Sequence, residues 1–83
     1  MSTLMYKYSI EEVEITDEGI AVTLHPYKRV ILPFDYTPKI AQASKKELEK
    51  FRILPNGRGI HFESIDKDIG VEGIVRDFLS EAA

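Results

Sequence analysis

The chain has 83 residues, 43% hydrophobic and 30% charged, which makes one globular, soluble domain and excludes a disordered chain. With no cysteine, neither disulfides nor thiolate metal sites can brace the core. No apolar run approaches the ~20 residues needed to cross a bilayer, so no membrane partner is expected.

The net charge of −3 is unevenly laid out. Residues 1–27 set Lys7 against Glu11, Glu12, Glu14, Asp17 and Glu18, a balance of −4. Residues 28–58 carry Lys28, Arg29, Lys39, Lys45, Lys46, Lys50, Arg52 and Arg58 against three carboxylates, a balance of +5. Residues 59–83 return to −4. Such segregation suits an oppositely charged partner, but folding that brings the blocks together would cancel it, and that is the expectation.

In chain order, "MSTLMYKYSIEE" lacks the basic start and apolar run of a signal peptide, so a cytoplasmic protein is expected. "EEVEIT" sets Val13 and Ile15 on one face and Glu12, Glu14 and Thr16 on the other. "IAVTL" repeats the pattern with Ile20, Val22 and Leu24. A period of two marks strands with one buried face, and "DEG" between them is a turn in which Gly19 can take positive φ. After "HPYK", the run Val30, Ile31, Leu32 predicts a strand buried on both faces and ended by Pro33. The three strands read as an antiparallel meander.

Two short helices follow. Thr37 is an N-cap with Pro38 at the first helical position, and Ser44 with Glu47 has capping-box spacing. Leu48 and Phe51 are expected to face inward from the second helix. Asn56-Gly57, between two apolar segments, is the strongest short-range hairpin signal, and Pro55 marks a strand end or an edge. From Val71 the apolar positions Val71, Ile74, Val75, Phe78 and Leu79 follow helical spacing, with Glu72 and Arg76 four apart and able to pair. The fold class is therefore α+β: a small antiparallel β-meander plus a β-hairpin, two short helices in the middle and a C-terminal amphipathic helix, in a single domain spanning 1–83.

The stretch "GRGIHFESIDKDIGVEGI" concentrates the polar chemistry. A metal site would draw on His61, Glu63 and Asp66 or Asp68, but zinc takes three or four well-placed ligands and His25 has no reason to approach His61. The spacing does not fit a calcium loop. An acid/base or nucleophilic site would need converging groups in a pocket, which a domain this small has little volume to form, and Ser64 beside His61 in sequence is not a dyad. No cofactor and no enzyme activity are expected. The remaining reading is a structural corner. Asp66 and Asp68 accept backbone N–H groups where a strand turns into the last helix, His61 donates to a neighbouring carboxylate or carbonyl, and Ile60, Ile65 and Ile69 anchor the loop to the core.

Two stretches, "TLHPYKRVILPFDYTPKIAQAS" and "FRILPNGRGIHFESIDKDIGVEGIV", carry a likeness. Arg29, Pro33, Pro38, Lys39, Ala43, Gly59, Ile60, His61, Phe62, Asp66, Asp68, Val71, Glu72 and Gly73 match, over roughly residues 10–75, the pattern of a family. The chain resembles the small prokaryotic domain of unknown function 2442. It departs in three places: "PYKR" replaces an Asp-Gly-Arg turn, Phe62 replaces a tryptophan and Gly70 replaces a helix-capping serine. The resemblance implies a small α+β unit, sometimes joined to a helix-turn-helix and often encoded beside another small domain in pairs of toxin–antitoxin type. The chain ends with no helix-turn-helix segment, which favours a stand-alone partner-binding role.

The expected function is thus a non-catalytic protein-interaction module, in an antitoxin-like form the partner of a neighbouring-gene product. Its family-motif residues are Gly59, Ile60, His61, Asp66, Asp68 and Glu72. The alternative is a nucleic-acid-associated regulator using a basic face of Arg29, Lys39, Lys45, Lys46, Lys50, Arg52 and Arg58, with Phe51 or Tyr36 for stacking. Overall acidity argues against it. A small enzyme or metal site at 58–72 is the third reading. An unpaired strand edge also predicts a homodimer.

Overall fold

In the computed structural model, which describes residues 8–79, the alternating segments form the expected meander: β1 (Ser9–Ile15), β2 (Ile20–His25) and β3 (Lys28–Leu32), in the order β1-β2-β3. The signal-peptide reading falls largely on residues 1–7, outside the described residues. Cross-strand rows Val13–Val22–Val30 and Ile15–Ile20–Leu32 line the inner face. Ile10 and Val13 are three apart yet both buried. A bulge between Ile10 and Glu12 absorbs the extra residue and keeps both inward.

One expectation for β3 fails. Val30 and Leu32 are buried, but Ile31 lies outward and is 36% exposed. Ile31 stands in the Glu14–Ala21–Ile31 row, on the face turned away from the core, so only Val30 and Leu32 meet it.

The middle helices are set by their caps. Thr37 Oγ1 accepts the Ile40 N–H at 3.2 Å to start α1 (Pro38–Ala41). Ser44 Oγ accepts the Glu47 N–H at 3.1 Å and the Glu47 carboxylate accepts the Ser44 N–H at 2.9 Å, closing a capping box on α2 (Lys45–Leu48). Ser44→Ala is expected to cost about 1 kcal/mol, or roughly 4–8 °C in Tm, measured by urea and thermal unfolding. Leu48 is buried as expected. Phe51 lies not on the helix but on a strand, where it meets Phe62 edge-on at 6.3 Å.

A second antiparallel sheet has the order β4-β5-β6, with β4 (Phe51–Ile53), β5 (Gly59–Phe62) and β6 (Lys67–Gly70). Asn56 and Gly57 turn the β4–β5 hairpin with φ of 62° and 66°, the left-handed pair of a tight hairpin turn. The third strand was not expected: Asp66 and Asp68 were placed where a strand turns into the last helix. Lys67-Asp68-Ile69-Gly70 holds one strongly strand-forming residue and takes its conformation from pairing with β5.

β6 runs directly into α3 (Val71–Ile74), which continues as a π turn over Val75–Leu79. Val71, Ile74 and Val75 are buried, but the wider winding moves Phe78 off the apolar stripe. Its ring, 37% exposed, rests against Tyr36 at 5.4 Å. The expected Glu72–Arg76 pair also gives way. Glu72 lies 3.8 Å from Arg58, and Arg76 pairs with Asp77 at 3.1 Å.

The two sheets share one core, in which Ile20, Val22, Leu24 and Leu32 meet Ile40, Leu48, Ile60, Phe62, Val71 and Ile74. The β4–β5 turn also seals the β1 edge, where Arg58 Nη1 donates to the Tyr8 carbonyl at 2.9 Å. Charge blocks meet as expected: Lys45 pairs with Asp17 at 2.7 Å, and Arg58 with Glu72. No helix among the described residues is long and apolar enough to cross a membrane.

Candidate functional site

Register places Arg52, His61 and Asp68 side by side across β4, β5 and β6. The Val71 N–H bonds the Arg58 carbonyl at 2.9 Å, which fixes the alternation of the β5–β6 ladder. Lys67, Ile69 and Val71 turn their backbone groups toward β5, so His61 and Asp68 form a non-hydrogen-bonded pair, in which side chains stand closest. His61 Nδ1 accordingly sits 2.5 Å from Asp68 Oδ1.

The rest of the motif departs from the corner that was expected. Neither Asp66 nor Asp68 accepts a backbone N–H from any described residue. Asp68 is committed to His61, and Asp66, at φ 50°, ends a 3₁₀ turn and offers its carbonyl to Lys39 Nζ at 3.3 Å. Asp68 sits on a strand, where no free helix N–H group lies within its reach. Ile60 is fully buried and Ile69 nearly so, as an anchoring role requires, with Ile65 packed at the core's rim. Gly59 faces Gly70 in the ladder, and Glu72 meets Arg58.

The same alternation turns the N–H groups of Asp68 and Gly70 and the Asp68 carbonyl away from β5. No described strand pairs with that edge. Along it lies an open groove of about 310 Å³, walled by residues 67–70 of β6, by Gly73, Arg76 and Asp77, and by Tyr36 and Thr37. The Tyr36 hydroxyl donates to Asp77 Oδ2 at 2.6 Å, and Arg76 Nε donates to Asp77 Oδ1 at 3.1 Å. Both carboxylates in the groove are therefore engaged, while Lys67 forms no ion pair with a described residue.

Burial, and then the adjacent Asp77, push the Tyr36 phenol up to about 12, while the Arg76 guanidinium and the Tyr36 hydroxyl hold the Asp77 carboxyl below its ordinary value. A phenol that holds its proton more tightly when folded adds stability that is complete below its unfolded value of about 10 and is lost as pH rises through the folded value. Near-ultraviolet titration should show Tyr36 ionising near 12. Asp77→Asn should lower that value yet leave it above the ordinary one, because burial remains. Ionisation of Tyr36 at its ordinary value in the wild type would contradict the assignment.

Tyr36 and Asp77 are 41 residues apart, so no local pattern announces their bond. Asp77 was not singled out from the sequence. Arg76 was, with a different partner.

Among the basic residues, Lys45 reaches Asp17, Arg58 reaches Tyr8 and Glu72, and Lys39 reaches Asp66. Arg29 lies on β3 opposite Thr23, and Arg52 on the outer face of β4 beside His61. Lys46 and Lys50 are exposed, in α2 and just before β4. No group of three or more potential metal ligands occurs among the described residues.

Two small antiparallel sheets over a shared core, with short capped helices between and after them, define a small α+β domain. The chain belongs to the family described as protein of unknown function DUF2442, whose pattern matches residues 10–80. No curated protein and no solved structure matches it.

Proposed function

We propose that the chain is a non-catalytic protein-interaction module, in its specific form the antitoxin-like partner of a neighbouring-gene product. The observation that carries this reading is the free edge of β6, whose unpaired backbone groups border an open groove. Exposed strand edges are templates for another chain. The non-catalytic part draws support from the chemistry of the same region. His61 is bonded to Asp68, and no described hydroxyl group hydrogen-bonds its ring.

Co-expression with the product of the adjacent gene, followed by sizing at micromolar concentration, tests the proposal. Co-elution at fixed stoichiometry is the expected result. Separate elution of the two chains, or a low-salt gel shift showing nucleic acid bound in place of protein, would overturn it.

A further inference from the structure

The outer edges of β3 and β6 differ in what they can receive. At β3, Tyr27 and Ile31 are exposed, but Lys28 and Arg29 flank them and nothing indicates an occupant. At β6 the occupant can be argued from the chemistry of the groove.

Each of its two carboxylates already accepts a bond, while several of its donors are open. Asp77 receives Tyr36 and Arg76, and Asp68 receives His61. The Lys67 ammonium, the terminal guanidinium nitrogens of Arg76 and the N–H groups of Asp68 and Gly70 make no bond to a described side chain within the groove. A partner that engages these donors brings acceptors. The groove is polar-lined and open, unlike the enclosed and mostly apolar sites that take small molecules.

Gly73 points to close approach by that partner. A glycine within a helix costs roughly 0.5–1 kcal/mol relative to alanine. Here the fold does not demand one, since a Cβ would meet Arg76 Nη2 at 3.5 Å and the Tyr36 hydroxyl at 3.9 Å, ordinary contacts. What the missing side chain does is keep the groove wall open.

We propose that the β6 edge receives an extended acidic peptide segment of the partner protein, added as a fourth strand to the β4-β5-β6 sheet. Its carbonyl oxygens accept from the Asp68 and Gly70 N–H groups, one of its N–H groups donates to the Asp68 carbonyl, and a carboxylate lies between Lys67 and Arg76. This rests on the interaction reading above and names the surface and the partner's chemistry.

The test is amide NMR of the full chain, titrated with a capped hexapeptide alternating valine and glutamate, and with the same peptide carrying lysine in place of glutamate. The glutamate peptide is expected to shift the Asp68, Gly70 and Gly73 amides, and the lysine peptide to leave them in place. Lys67→Glu should weaken binding roughly fivefold or more. Gly73→Leu, which fills the groove from a position with room for a Cβ, should abolish binding while the dispersion of the spectrum shows an intact fold.

Unmoved amides at those three positions, equal response to both peptides, or concentration-dependent shifts without peptide (two copies pairing through β6) would each overturn the inference. A co-expressed complex whose partner leaves these amides unmoved overturns this surface but not the interaction reading. Peptide binding here without a neighbouring-gene complex supports the groove and overturns that partnership.

Discussion

Phe62→Ala is expected to remove about 3–5 kcal/mol from a domain whose whole stability, at this length, is about 4–12 kcal/mol. Phe62 has the largest of the fully buried side chains and sits on β5, the central strand of its sheet. Its ring meets Phe51 across the hairpin and belongs to the core that the meander also enters. Truncation loses the transfer free energy of the ring and leaves a cavity that two sheets held by separate ladders cannot collapse to fill. Urea unfolding should show the loss, with Tm down by roughly 12–40 °C. Phe62→Leu, which keeps most of the apolar volume, should lose far less. A cost below about 1 kcal/mol for the alanine variant would mean that the two sheets do not share a core through this residue.

How much of this could be read from the residues depends on the range of the interactions. The meander was legible because β1 and β2 alternate over five residues and a short apolar run follows them. The caps at Thr37 and Ser44 were legible because a capping hydrogen bond spans three residues and depends on little else. The Asn56-Gly57 turn was legible because few residues accept two successive left-handed conformations. β6 was not, since Lys-Asp-Ile-Gly is a poor strand by itself and becomes one by lying against Gly59–Phe62. Placing Asp68 at the turn from strand to helix then misassigned it, since as a ladder residue it faces His61. Ile31 was misread because an apolar run does not say whether both faces of its sheet are covered. The groove, with Tyr36 bonded to Asp77, depends on contacts between distant segments and on the π turn.

The failures at β6 and the proposed site fall in the same place. Where β6 runs directly into α3, local preferences are weak: Gly70 caps the helix without a side-chain bond, and Gly73 adds flexibility to its first turns. Departures of local sequence preference from the fold mark positions held for something other than stability. The β4–β5 turn is the opposite case, since there glycine is demanded by the structure itself.

Gly57→Ala therefore carries the second large expected loss, about 2–4 kcal/mol. Gly57 has φ of 66°, and a Cβ there would lie 2.7 Å from both the nitrogen and the carbonyl oxygen of Ile10. The left-handed conformation costs an L-residue roughly 1–2 kcal/mol, and the clash adds to it because the opposing atoms are backbone and cannot rotate aside. Relief requires the hairpin turn to lift from β1, which breaks the Arg58 bond to the Tyr8 carbonyl and uncovers the β1 edge. Urea unfolding should register the loss, and amide exchange should quicken along β1 before the rest of the meander. Two companion variants isolate the cause. Asn56→Ala, also at positive φ, should lose only the conformational part, near 1 kcal/mol. Gly73→Ala should be neutral or gain up to about 1 kcal/mol, since its Cβ meets only ordinary contacts. If Gly57→Ala and Asn56→Ala proved equally mild, the turn would not be seated on β1, and the join between the two sheets would lie elsewhere.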